Sequence, residues 1–134
     1  MSLDQGYLEK MRKNALNFLR DAEDNFNRGE YGLVILCVEQ FLQLYLRYLL
    51  LSKMGVNPRT KVLGRLMKEA ANVLNAPEIK KLYEYNLDAI YIVEASEITS
   101  QYMPESYERE IANRVLEFAR KSLRVLRFVE KGKR

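Results

Sequence analysis

The stretch YGLVILCVEQFLQLYLRYLLLSKM, residues 31–54, decides the fold. Its apolar side chains do not alternate as in a half-buried strand. They surround a helix axis on most sides, so the segment has to be covered by other helices. Its uninterrupted apolar runs, Leu33 to Val38 and Leu49 to Leu51 with its neighbours, fall far short of the ~20 residues of a membrane span, and Arg47 and Lys53 flank the second closely. The expectation is the central helix of a bundle, with no membrane partner.

Working outward, Ser2-Leu3-Asp4-Gln5 has the form of a capping box, and Leu8, Met11, Ala15, Leu19, Ala22 and Phe26 follow at three- and four-residue steps. This predicts a helix from about residue 3 to Arg28, with Gly29 as its stop. Beyond the central helix, Gly55, Asn57 and Pro58 break the chain, and Thr60 is placed to cap a shorter helix carrying Leu63, Leu66, Met67, Ala70, Val73 and Leu74. Pro77 suits a first helical turn, and Ile79, Leu82, Tyr83, Leu87, Ile90, Tyr91 and Val93 extend a fourth helix to about Ser96. The stretch Ser100-Gln101-Tyr102-Met103-Pro104 interrupts the pattern, and a fifth helix runs from about Ser106 to Lys131. Connections of a few residues favour antiparallel neighbours. The fold class is thus all-α: an up-down bundle of four to five antiparallel helices in one domain, residues 1–134.

The chain contains no histidine. Ser-His-Asp triads, Cys-His dyads, histidine-based zinc sites and imidazole acid–base catalysis are therefore excluded. The single cysteine, Cys37, lies in an apolar segment without a partner to make it a thiolate, and reads as an inert core thiol. No phosphate-binding glycine pattern is present. Glu84 with Asp88, Glu94 with Glu97, and Glu105 with Glu108 each put two carboxylates on one helix face, but they read as solvated surface, so neither a metal nor a cofactor is expected. The N-terminus carries no secretory pattern, which makes the cytoplasm the expected location.

Three features remain as candidates for binding. Gln40, Gln43 and Arg47 fall on one face of the central helix, a polar ladder among apolar neighbours with Glu39 beside it. Buried, it is either a hydrogen-bonded network within the bundle or across a dimer, or part of a phosphate or partner site. Residues 112–134 hold eight Lys and Arg against two Glu, whereas residues 78–110 hold eight Asp and Glu against three Lys and Arg. Within the basic helix Arg120, Arg124, Arg127 and Lys131 form a stripe able to track phosphates, or to complement the helix dipole and pair with the acidic segment. Tyr102 and Tyr107 flank the Pro104 break, where side chains are placed to reach a ligand. Tyr31, Tyr45, Tyr48, Tyr83 and Tyr91 keep core or interface spacing instead.

Three stretches together resemble the HEPN family (higher eukaryotes and prokaryotes nucleotide-binding). The first is Asn17-Phe18-Leu19-Arg20-Asp21-Ala22 followed by Arg28-Gly29-Glu30-Tyr31. The second is the helix from Val38 to Leu50, similar to the family's Gln-x-x-Glu-x-x-x-Lys helix, with Gln40 matching, Gln43 in place of Glu and Arg47 in place of Lys. The third is Ser100 to Pro104, similar to the family's Arg-Tyr-Pro segment, with Gln101 where arginine is common and Met103 inserted. The resemblance implies a helical bundle that dimerises and a role near nucleotides or RNA, often beside a minimal nucleotidyltransferase in toxin–antitoxin pairs. Active members resemble metal-independent ribonucleases with an Arg-x(4–6)-His motif. This chain has no residue for that histidine, and Thr60-Lys61-Val62-Leu63 stands where many relatives carry one. The expectation is a non-catalytic module that binds a nucleotide or a partner; an RNA-binding protein or a histidine-independent ribonuclease is the second reading.

Overall fold

Residues 4–102 and 107–132 are described by the computed structural model, 97–102 by backbone alone. They form an all-α bundle of six helices, α1 (Gln5–Asn27), α2 (Tyr31–Met54), α3 (Leu63–Val73), α4 (Pro77–Glu84), α5 (Leu87–Tyr102) and α6 (Arg109–Glu130), with no strand among the described residues. α2 is the axis: α1 lies along it, and α3, α5 and α6 cover its other sides. It buries Val34, Ile35, Val38, Phe41, Leu42, Tyr45, Leu46, Leu49 and Leu50, each large side chain contributing about 1.5–3 kcal/mol. Ala15 and Ala22 on α1 and Ala112 and Ala119 on α6 are completely buried, so the helix backbones approach closely where Phe41, Tyr45 and Phe118 fill the space between.

By length and composition α2 also qualifies as a membrane-crossing helix, with a mean hydropathy of 1.5 over its best window, which uninterrupted runs alone conceal. That window is 61% buried in the bundle, and the neighbouring helices cover it where lipid otherwise would.

The ends of the elements are set locally. Gly29 and Gly55 both adopt left-handed backbone (φ 77° and 65°), which a side chain would strain. At Gly55 the Val56 N–H reaches the Leu50 carbonyl and the Gly55 N–H that of Leu51, closing the end of α2. Two caps differ from the sequence reading. Asp4 caps α1 by accepting the Gly6 N–H at 3.0 Å, while Ser2 lies outside the described residues. α3 begins after Val62, and Thr60 accepts the Val62 N–H instead of capping the helix.

The expected fourth helix, 77–96, divides into α4 and α5. The Asn86 carboxamide donates at 2.8 Å to the Leu82 carbonyl, the acceptor its own backbone N–H would need to continue the helix, and that N–H turns to Tyr83. α5 then continues by backbone to Tyr102, beyond the end near Ser96 that the hydrophobic pattern suggested. The last helix starts at Arg109, three residues later than the expected Ser106, which lies outside the described residues.

Candidate functional site

The polar ladder on α2 is turned toward the chain itself. Arg47 donates from Nη1 to the Pro58 carbonyl (2.9 Å) and from Nη2 to that of Thr60 (2.6 Å), and the Gln43 amide donates to the carbonyl of Lys61 (2.8 Å). Gln43 Oε1 in turn accepts from Arg47 Nε and Nη2. These bonds hold the segment between α2 and α3 against α2, satisfying carbonyls that no helix ladder reaches. Gln40 donates to the buried Glu39 carboxylate (3.1 Å), and an open hollow of about 310 Å³ between Gln40, Arg47 and Lys61 lies outside the clamp. The internal-network reading describes most of what Arg47 does, since few of its donors remain for a ligand.

A second polar cluster went unrecognised in the sequence. Glu130, at the end of α6, accepts from the Tyr45 hydroxyl, the Tyr48 hydroxyl (3.1 Å) and Arg12 Nε (2.9 Å). Burial opposes the charge on Glu130, yet the donors, Tyr45 foremost and then Arg12, hold its pKa below the ordinary carboxylate value. Burial and the same carboxylate push the Tyr45 phenol far upward. Three acceptor directions are occupied from α1 and α2, so the cluster ties three helices together. Its members are 118, 85 and 82 residues from Glu130, and no spacing rule links them.

The acidic pairs are dispersed. Glu94 reaches from α5 to accept the Gly64 N–H at 2.7 Å, supplying the N-terminal cap that Val62 cannot give α3. A β-carbon at Gly64 would come within 3.0 Å of that carboxylate and 3.2 Å of the Tyr83 ring. Asp88 takes a two-pronged hydrogen bond from Arg114 (2.8 and 2.9 Å), which lowers its pKa. The Glu97 side chain and Glu105 lie outside the described residues. No group of three metal-binding side chains exists among the described residues. Cys37 is half-buried, with its thiol pushed up by burial and touched by the Asn25 amide.

The basic stripe divides by its partners. Arg120 forms a two-pronged pair with Glu23 of α1 (Nε 3.0 Å), whereas Arg124, Arg127 and Lys131 are exposed and carry no carboxylate partner among the described residues. Beside the stripe, α6 and the α4–α5 corner border an open hollow of about 390 Å³ lined by Tyr85, Asn86, Arg114, Glu117, Arg120, Lys121 and Arg124. Arg114 bridges Asp88 and the Asn86 side chain (3.0 Å), so one wall is fixed by α6 gripping the break between α4 and α5. Lys121, Arg114, Asn86 and Tyr85 were not singled out in the sequence. The helix break that gathers them is a tertiary event, although Lys121 sits inside the basic run.

Tyr107 is half-buried against the core just before α6, and the Tyr102 side chain lies outside the described residues. Tyr45 and Tyr48 take their expected core places, while Tyr91 is exposed.

A family model described as the HEPN domain matches residues 8–131, from the first turns of α1 to the end of α6. No curated protein and no solved structure matches the chain.

Proposed function

Since the chain belongs to the HEPN domain family, we propose that it is a module that binds nucleotide or RNA phosphates on the exposed basic face of α6 and does not cleave them. The family is one of nucleotide- and RNA-related helical modules. The observation that carries the finer reading is the set Lys121, Arg124, Arg127 and Lys131, exposed along α6 and its C-cap and in no ion pair among the described residues. Such charges attract a polyanion and release its counterions on binding. Binding without cleavage is supported by the lack of any imidazole, the side chain that most often moves a proton in such a step.

The same reading includes a cytoplasmic homodimer, working beside a minimal nucleotidyltransferase as in toxin–antitoxin pairs. Only the dimer has a structural support, a second surface on α2 where Leu33, Leu36, Leu44 and Leu51 recur at helical spacing around Gln40 and Arg47 and remain partly exposed.

Fluorescence anisotropy with a labelled RNA, at several salt concentrations, tests the proposal. Affinity is expected to fall steeply with salt, and Arg124→Glu/Arg127→Glu is expected to abolish binding while the thermal melt is unchanged. RNA binding that ignores the double change, or cleavage of total RNA by the purified protein, defeats it. Light scattering and co-purification with neighbouring gene products test the dimer and the partner.

A further inference from the structure

We propose that the hollow at the α4–α5 corner seats one unpaired nucleotide, with the Tyr85 ring stacked on its base and Lys121 and Arg124 holding the adjoining phosphate. The inference rests on the α6 reading above and adds the class of ligand: a base free of its own stack.

Tyr85 closes the α4 turn and is 77% exposed, the most exposed of the large apolar side chains among the described residues. Its side chain has no hydrogen bond and no ring contact among the described residues. An aromatic face left in water beside cations is a surface that a nucleobase covers with gain, because every base has a π-face and no particular hydrogen-bond pattern is needed.

The backbone that carries the ring is rigid. Asn86, its neighbour, is 1% exposed and bonded on both sides, to the Leu82 carbonyl and to Arg114. The ring is therefore presented from a fixed point, which reduces the ordering cost of binding.

The charges around the ring are divided. Asp88 and Glu23 occupy the guanidinium forks of Arg114 and Arg120, leaving Lys121 and Arg124, three residues apart on α6, free for a phosphate. The hollow, about 390 Å³, is open to solvent on one side, with Glu117 among its lining residues. A lining dominated by cations does not suit an apolar protein segment. A duplex buries its base faces in its own stack, so only an unpaired nucleotide meets the ring.

The test compares binding of a labelled single-stranded RNA 12-mer, a duplex RNA of equal length and AMP. Tyr85→Ala is expected to lose about ten- to hundredfold in affinity for the single strand, with the salt slope and duplex binding unchanged, and Tyr85→Phe to bind like the parent. Lys121→Ala/Arg124→Ala is expected to lower the salt slope by roughly 0.7 to 1, the share of the one phosphate they hold. Displacement of the strand by AMP that depends on Tyr85 shows a free nucleotide to suffice. Its absence, with the strand effect intact, shows that the strand is required, and both support the seat. Full strand affinity in Tyr85→Ala while the Lys121/Arg124 variant loses it overturns the seat and leaves the α6 reading standing. Equal losses on duplex and single strand, or a Tyr85 effect confined to a co-purifying protein, also overturn it. A parent protein that binds no RNA at all removes both.

Discussion

Arg47 directs its guanidinium at the Pro58 and Thr60 carbonyls and at Gln43. Hydrogen bonds to a charged group contribute about 1.5–3 kcal/mol each, so Arg47→Ala is expected to lower the unfolding free energy by about that much. A urea titration measures it, and a midpoint equal to the parent's would show that the clamp adds nothing. The ladder was legible in the sequence because Gln43 and Arg47 stand four apart on a helix. Its target was not, because the carbonyls it holds belong to a segment without periodicity. Glu130 makes the same point more strongly: it was visible only as one of two acids in a basic helix, whereas its hydroxyl and guanidinium donors lie on α1 and α2.

At the level of elements, α2 was readable to its last residue, since an all-round apolar pattern followed by glycine specifies both the helix and its end. The fourth helix was not. Leu82, Tyr83, Leu87 and Ile90 keep helical spacing across the break, so periodicity carries no sign of it, and only the Asn86 side chain, competing for the Leu82 carbonyl, ends α4. Asn86→Ala removes that competitor and leaves Arg114 without its buried acceptor. The expected cost is about 1–3 kcal/mol, read as a lower denaturation midpoint; a more stable variant would mean that the break is imposed elsewhere. The basic run on α6 was equally plain, yet its division into Arg120, paired with Glu23, and the free Arg124 and Arg127 depends on where α1 lies.

On the scale of the whole molecule, Glu130 gathers α1, α2 and α6 and gives the bundle an acid-sensitive joint. Its pKa lies below the unfolded value of about 4.3. Its contribution is therefore complete above that value and is lost as pH falls through the lower, folded one. Thermal melts between neutral pH and pH ~3 are expected to show a steeper loss in the parent than in Glu130→Gln, which should already be less stable at neutral pH. Parallel pH profiles would dismiss the joint. Nothing in the order of residues announced it, because closing three helices on one carboxylate is a property of the packed chain.

The pairs Arg114–Asp88 and Arg120–Glu23 border the corner hollow. Each carboxylate acts as a tethered competitor, present at high effective concentration, for a fork that an incoming phosphate would also fit. If the proposed seat binds a phosphate, replacing Asp88 or Glu23 with its amide is expected to lengthen the ligand's residence, by releasing a grip that the fold already occupies.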